Sequence, residues 1–427
     1  MISAEELLDL TQKKGISDVE IYQVQSYSRP ISFEANRLKQ IESSQTTGLA
    51  IRLWQNNCPG LAVAYGEIEP EDLIHKAIAI SQLNEPEEIL LNSNNRLIYP
   101  ASEQQPDLCS FIAQGKNAIA LIREQNPEVL VNLELEWEQE TTTLINSRGL
   151  YCQQTDISQS ASLGVELVKE EDFLGIYDSE YTHHQLKLDS IVANVLQKLH
   201  WAEKNATIES RKVPVLFTPN AAITLWETVT EALNGKYILD HSSPWSESLG
   251  TQVISSQISL SQQPDLEPYN CPFDDEGTIT QSLQLIQEGI LQHIYTDQKI
   301  ASKLGISNTG NGFRSSLGSY PSPDLVNLVV NCGNLSQWEL IKNLSTGIVI
   351  EQILGGGADI SGDFSFNIDL GYVIKNGQII GRIKDSMLAG NVYQALQGVE
   401  AVGSDRQWAG SCYTPSILID QLPIICQ

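Results

Sequence analysis

The chain has 427 residues, with 26 Lys and Arg against 53 Asp and Glu and a formal charge of −27; its isoelectric point is near 4.5. At about 100–200 residues per domain this predicts two or three domains, and 41% hydrophobic residues mark a globular chain rather than a disordered one. The acid excess disfavours direct nucleic-acid binding, which needs a basic stripe to neutralise phosphates, and disfavours anionic membrane surfaces for the same reason.

No apolar run reaches the ~18 residues of a membrane span, and Met1-Ile2-Ser3-Ala4-Glu5-Glu6 lacks the basic and apolar regions of a signal peptide. The seven cysteines, at 58, 109, 152, 271, 332, 412 and 426, are scattered, odd in number and never in CxxC. That usage predicts free thiols in a reducing cytoplasm, not a disulfide framework.

In chain order, residues 3–14 have helical periodicity, with Ser3 as N-cap and Gly15 as stop. Short alternating segments follow at 19–26, 29–34, 38–43, 49–54 and 60–65, punctuated by Pro30, Asn36, Gly48 and Asn56-Asn57, and predict an antiparallel meander. Pro70 opens a helix to about 82, residues 84–106 read as a long polar loop, and a helix is expected over 106–125. Strands are expected at 129–140, 142–146, 151–160 and 162–170, then a helix over 186–204. The strand Val215-Leu216-Phe217 leads through Thr218-Pro219 into a helix over 220–234 that Gly235 should end. Beyond it the chain is rich in strand and glycine, with helical interludes at 296–304, 335–344 and 386–397. The expected class is α+β: an N-terminal antiparallel sheet with packed helices over 1–208, then a strand-rich domain over 209–427.

Several segments, in this order, carry a family resemblance. They are Phe33-Glu34-Ala35-Asn36-Arg37-Leu38-Lys39-Gln40-Ile41-Glu42-Ser43, Val215-Leu216-Phe217-Thr218-Pro219, and Phe273-Asp274-Asp275-Glu276-Gly277-Thr278. Further on come Asn308-Thr309-Gly310-Asn311-Gly312-Phe313-Arg314, Gly355-Gly356-Gly357, Gly371-Tyr372-Val373-Ile374-Lys375-Asn376-Gly377 and Leu388-Ala389-Gly390-Asn391. Together they resemble the TldD/PmbA family, once labelled modulators of DNA gyrase and associated with zinc-dependent peptidase complexes. The resemblance implies that the TldD kind of subunit carries HExxxH on the helix after the first of these strands. Two imidazoles there bind zinc, and the glutamate polarises a bound water. Here the matching segment reads Leu225-Trp226-Glu227-Thr228-Val229-Thr230-Glu231, so Trp226 and Glu231 stand where the histidines would be and only Glu227 is kept. The chain therefore resembles the TldE/PmbA kind of subunit, which lacks the motif.

Each candidate residue has a plainer reading beside its functional one. Glu227 and Glu231 share a helix face four residues apart, a poor zinc site without His or Cys and more simply a polar face. Cys412 lies near the position where catalytic members supply a cysteine ligand, and is otherwise a buried thiol. Asp274, Asp275 and Glu276 are either a solvated acidic turn or, as the resemblance implies, part of a peptide-binding cleft; their spacing is not that of an EF-hand. Gly310, Gly312, Gly355, Gly356, Gly357 and Asn391 are further cleft candidates, the glycines because they let a backbone approach closely or simply turn. Arg314 could grip a peptide carboxylate or neutralise local acid. Asp240-His241 with Ser242 and Ser243 offers only a remote Ser/His/Asp arrangement.

The expectation is a chain with no catalytic residues, metal or cofactor of its own, zinc residing in a TldD-like partner. It would pair with that HExxxH-bearing subunit as a heterodimer, or with itself, and help hold unfolded peptide for processing, in the cytoplasm and without nucleic acid or membrane. The alternatives are a homodimeric peptide-binding protein without protease activity and a stand-alone hydrolase using residues other than zinc ligands.

Overall fold

Alternation of buried and exposed residues runs much further along the N-terminal strands than their turn-forming residues suggest. The computed structural model describes residues 2–93, 95–101, 107–169, 172–355 and 357–426. Helix α1 (Ala4–Lys13) opens on a capping box, Ser3 Oγ accepting from Glu6 N at 3.2 Å and Glu6 Oε2 from Ser3 N at 3.1 Å. The meander follows as β1 (Asp18–Glu34), β2 (Arg37–Ile41), β3 (Ser44–Gln55) and β4 (Cys58–Tyr65). The break expected at Pro30 is absent, because β1 is one strand of 17 residues. Proline cannot donate to a ladder, but β3 pairs with β1 only as far as Ser28 and β2 only from Ile31. The Pro30 carbonyl points to that gap and accepts from Glu42 N at 3.0 Å. The absent N–H would face the same gap, so no ladder bond is lost.

Helix α2 (Pro70–Ser81) begins with proline as expected. The segment read as loop contains a short strand, β5 (Arg96–Tyr99), and residues 94 and 102–106 of it lie outside the described residues. Helix α3 (Leu108–Gln125) is capped by Asp107, and the expected start at Pro106 lies outside the described residues. Two pairs of expected strands are instead the single strands β6 (Leu130–Asn146) and β7 (Tyr151–Lys169), while the expected end at Glu170 is not among the described residues. Strand β8 (Asp172–Thr182), not expected, pairs with β7, and helix α4 (Leu188–Trp201) follows. The sheet order is β4-β3-β1-β6-β7-β5, with β2 added to β1 and β8 to β7. One stretch buries Val19, Ile21, Ile51 and Leu53 against Leu7 of α1 and Leu73 and Ala77 of α2. Another packs Phe33, Leu133 and Val165 with Phe111 of α3 and Val195 of α4.

The remainder of the chain starts with β9 (Arg211–Phe217) and α5 (Pro219–Leu233). Strand β9 pairs with Thr346–Leu354 and Ile417–Cys426; Ser386–Asn391 and Asp363–Lys375 complete a ring that closes when Asp363–Lys375 meets Thr346–Leu354. Closure leaves this sheet no free edge among those five strands. A second sheet of six short strands includes Leu260–Gln262, Leu328–Val330 and Cys412–Thr414. Helix α5 lies between the two, its Leu225, Trp226 and Val229 in one core with Val215, Leu285 and Ile350. The helix expected over 386–397 is a strand, Ser386–Asn391, followed by a short helix, Val392–Gln397. Leu388 pairs on both sides, with Phe366 and Ile424, which a helix could not do. Gly235 does not end the chain's helical course either, since Asn234 ends α5 and caps a further turn, Gly235–Leu239. Layered helices on largely antiparallel sheet make the fold α+β, as expected. All seven cysteines are free.

A buried ion pair joins α4 and β8 to the ring. Lys198 Nζ lies 2.7 Å from Glu351 Oε1 and 3.4 Å from Asp178 Oδ2, with side chains only 9%, 5% and 12% exposed. Removing one partner of such a pair leaves an uncompensated buried charge. Lys198→Met is therefore expected to destabilise the chain by about 3–5 kcal/mol, read as a lower urea midpoint, with part of the loss recovered in Lys198→Met/Glu351→Gln.

Candidate functional site

Helix α5 sets its chemistry by its period. Leu225, Trp226, Val229 and Leu233 are buried while Glu227 and Glu231 fall on the opposite side, one turn apart. Trp226 is 1% exposed, and its Nε1 donates to Thr414 Oγ1 at 2.9 Å. Thr414 and Cys412 alternate on one short strand and are both buried. Burial pushes the Cys412 thiol strongly upward, and the Glu227 carboxylate adds to the effect. Burial also raises Glu227, with Glu231 adding repulsion, and raises Glu231, with Asp359 adding repulsion. Gly357 backs this cluster, a Cβ there standing 3.5 Å from Glu227 Oε2.

The degenerate motif positions and Cys412 are thus neighbours, as the resemblance implies. They do not fit a zinc ion. The indole of Trp226 has no ligand atom, and its N–H is spent on Thr414. Among the described residues no group of three or more His, Cys, Asp or Glu side chains converges on a metal position.

The acidic turn is buried rather than solvated. Asp274 Oδ1 accepts from Glu276 N at 3.0 Å and Thr278 N at 2.8 Å, and its Oδ2 accepts from Gly312 N at 2.9 Å. Asp275 Oδ2 accepts from Arg314 N at 2.7 Å. Glu276 Oε2 accepts from Gln298 N at 2.9 Å, and burial holds its carboxyl up at about 7. Gly312 and Gly310 are required by close approach. A Cβ on Gly312 would lie 2.5 Å from Glu276 Oε2, and one on Gly310, at φ +71°, 2.4 Å from the Ile279 carbonyl.

Arg314 is the keystone of this region. Its side chain is 2% exposed; Nη2 lies 2.6 Å from Glu20 Oε1, Nη1 donates to Ser319 O at 2.9 Å, and the guanidinium stands 5.1 Å over the Tyr22 ring. Glu20 Oε2 in turn binds Arg52 Nη2 at 2.9 Å. The arginine therefore neutralises local acid and has its fork committed inside the protein.

The other candidates have local duties. Asn391 caps the helix Val392–Gln397, accepting from Tyr393 N at 3.1 Å, and its Nδ2 donates to Ser361 O and Asp363 Oδ1, both at 2.9 Å. Gly355 turns the chain at φ +104°, and Gly356 lies outside the described residues. Ser243 Oγ donates to Ala232 O and Ser242 Oγ to Tyr237 O, so both hydroxyl protons finish helix ends beside His241.

Sequence reasoning did not single out Glu20, Tyr22 and Arg52, although Glu20 and Tyr22 have the two-residue spacing of one strand face. It also did not find an aromatic row: Tyr181 stacks on Tyr269 at 5.1 Å, Trp408 meets Tyr269 at 4.8 Å, and Tyr413 stacks on Trp408 at 4.7 Å.

Two measurements test these assignments. Trp226→Ala should cost about 3–5 kcal/mol, the range for emptying a buried aromatic site, read in a denaturant titration. Glu276 has its folded pKa raised above the unfolded value, so its contribution to stability is complete below about pH 4.5 and is lost as pH rises through about 7. Urea midpoints measured across that window should fall less steeply with pH in Glu276→Gln than in the unaltered chain.

The sequence profile of the PmbA/TldA metallopeptidase C-terminal domain matches residues 210–425, and that of PmbA/TldA metallopeptidase domain 1 matches residues 19–81. A metalloprotease PmbA homolog of Haemophilus influenzae is 25% identical over 98% of this chain and 94% of its own length. A metalloprotease TldD homolog of Buchnera aphidicola is 31% identical over 43% of this chain and 38% of its own length. Among solved structures, TldE from Thermococcus kodakarensis superposes with a TM-score of 0.87 at 23% identity, covering 98% of this chain and 99% of that one. A Thermotoga maritima protein described as a modulator of a DNA gyrase superposes with a TM-score of 0.86 at 23% identity, covering 99% of both chains.

Proposed function

The chain belongs to the PmbA/TldD metallopeptidase family, and from that premise we propose that it is the non-catalytic, TldE/PmbA-like subunit of a cytoplasmic zinc peptidase complex. Its partner would be a TldD-like chain carrying HExxxH, and their shared substrate an unfolded peptide. One observation carries this reading: the helix position of a first zinc-binding histidine holds Trp226, buried to 1% exposure and bonded through Nε1 to Thr414. Packing has taken the place of ligation there. Burial pushes the adjoining Cys412 thiol up, away from a thiolate nucleophile.

The role left to the chain is binding and positioning. Extended peptide is recognised through its main chain as well as through side chains, and clefts lined by strand residues and loop amides supply both kinds of contact. The acidic turn, whose three carboxylates are held by backbone N–H groups, keeps the loops over 274–278 and 308–314 rigid beside the N-terminal sheet. A subunit built this way offers a fixed wall against which a partner's metal site can work.

The test is reconstitution. The purified chain alone should retain no stoichiometric zinc and leave a carboxymethylated, unfolded substrate intact. Mixed with a co-expressed HExxxH-bearing family member, it should co-elute with it and raise its rate of cleavage. Chelator-sensitive cleavage by this chain alone would overturn the assignment, as would a partner whose rate and elution are unaltered by it.

A further inference from the structure

Between β8 and the loop over residues 264–273 lie two adjoining cavities of about 580 and 380 Å³ that share Tyr181, Pro268 and Tyr269. Volumes of this size are those of ligand sites rather than packing faults. The shared wall is the aromatic row: Tyr181 and Tyr269 are parallel within 15°, and Trp408 stands edge-on to Tyr269. Aromatic faces attract cations. One end of the same row already holds one, since the Arg406 guanidinium lies 4.3 Å over the Tyr413 ring.

The charged residues that line the two cavities are of one sign. Among the described residues, Lys, Arg and His are absent from the lining of both cavities, while five carboxylates are present. Three of the five are already served: Asp178 by Lys198, Asp275 by Arg314 N, and Asp156, which accepts from the Tyr181 hydroxyl at 3.1 Å and lies 2.9 Å from His183 Nε2. Two remain. Glu180 receives only a long bond of 3.4 Å from Ser190 Oγ. Among the described residues no hydrogen bond or ion pair reaches the Glu140 carboxylate. Burial raises Glu140 and Glu180 above the ordinary carboxylate range, and Glu138, Asp156 and Asp275 oppose the charging of Glu140 further. A bound cation would relieve both effects. Asn270 lines the smaller cavity as well, and its Oδ1 is buried without a hydrogen-bond donor.

We propose that this groove binds an extended peptide segment rich in lysine or arginine, whose cationic side chains lie along Tyr181, Tyr269 and Trp408 and pair with Glu140 and Glu180. The proposal rests on the reading of the chain as a peptide-positioning subunit and names the class of peptide it takes. Its geometry is that of cation–π contact flanked by carboxylates, where charge-assisted hydrogen bonds add to the ring contacts.

A chain with so large a negative charge attracts any cation weakly, so the test must separate the groove from the general field. Two labelled peptides of about ten residues, identical except for Lys or Glu at alternate positions, are titrated with the isolated chain in fluorescence anisotropy at about 0.15 M salt. The Lys peptide should bind at least about tenfold more tightly than the Glu peptide. Glu140→Gln/Glu180→Gln should weaken the Lys peptide by about fivefold or more, as should Trp408→Ala. Glu5→Gln/Asp9→Asn, which removes the same two charges from exposed α1, should leave its affinity within about twofold. Thermal midpoints establish that each variant is folded. Equal binding of the two peptides overturns the proposal, and so does an equal loss in both double variants or no loss in either. Binding is read without a partner and without cleavage, so its failure leaves the reconstitution result standing, and failed reconstitution leaves the binding result standing.

Discussion

Glu20 is the point on which the placement of everything else depends. It is 2% exposed and sits between two arginines, Arg52 from the neighbouring strand and Arg314 from a loop almost three hundred positions later. Glu20 and Arg52 face each other directly in the β1–β3 register, the closest relation a sheet offers two side chains. Period-two geometry then puts Tyr22 on the same face, where its ring meets Arg314 and its hydroxyl meets Asp275. A lone buried carboxylate or guanidinium is costly. Each of these groups is tolerable only because the others are present, so the N-terminal sheet and the loops over 274–278 and 308–314 can meet in one way. The acidic turn makes sense in the same frame: Glu276 and Glu20 face the two guanidinium groups, and the Asp274 carboxylate satisfies backbone N–H groups that would otherwise be buried without acceptors.

Helix α5 packs an indole at the position where the family resemblance would place a metal-binding imidazole. An imidazole and an indole are both flat and both carry a ring N–H, but only imidazole has a lone pair to give a metal. Trp226 uses its single N–H on Thr414 and buries the rest of its surface among Val215, Val229 and their neighbours. With that ring in place the strand carrying Cys412 packs behind α5, and burial there pushes the thiol up. Burial raises both glutamates on the other face, with repulsion from Glu231 added at Glu227 and from Asp359 at Glu231.

Much of this was legible in the sequence where a local rule decides the outcome. The capping of α1 by Ser3, the proline starts of α2 and α5, the meander and the α+β class follow from spacing and cap chemistry alone. The joins were misread where a residue that usually breaks a strand sits at a place that does not need it. Pro30 lies in the gap between two partner strands, and the polar midsections of β6 and β7 continue because strands on both sides hold them in register. Strand β8 was hidden by its acids and by Gly175, which makes room for the Tyr177 ring rather than for a turn. The candidate residues were found as a set but not as a structure. Nothing in Asp274-Asp275-Glu276 says that it is buried until Arg52 and Arg314 are placed beside it, and those arrive through tertiary pairing across the chain.

The acid excess divides the same way. Read from composition, a charge of −27 speaks only of solubility and of the exclusion of nucleic acid. In the fold, three kinds of carboxylate separate by what faces them. Glu5 and Asp9 on α1 face water and serve solubility. Glu20, Asp275, Glu276 and Glu351 face guanidinium, ammonium or backbone N–H groups and hold the halves in place. Glu140 and Glu180 stand along a groove beside aromatic rings, among other carboxylates that raise them further. Carboxylates gathered along one groove repel one another, and a cation bound there would relieve that repulsion.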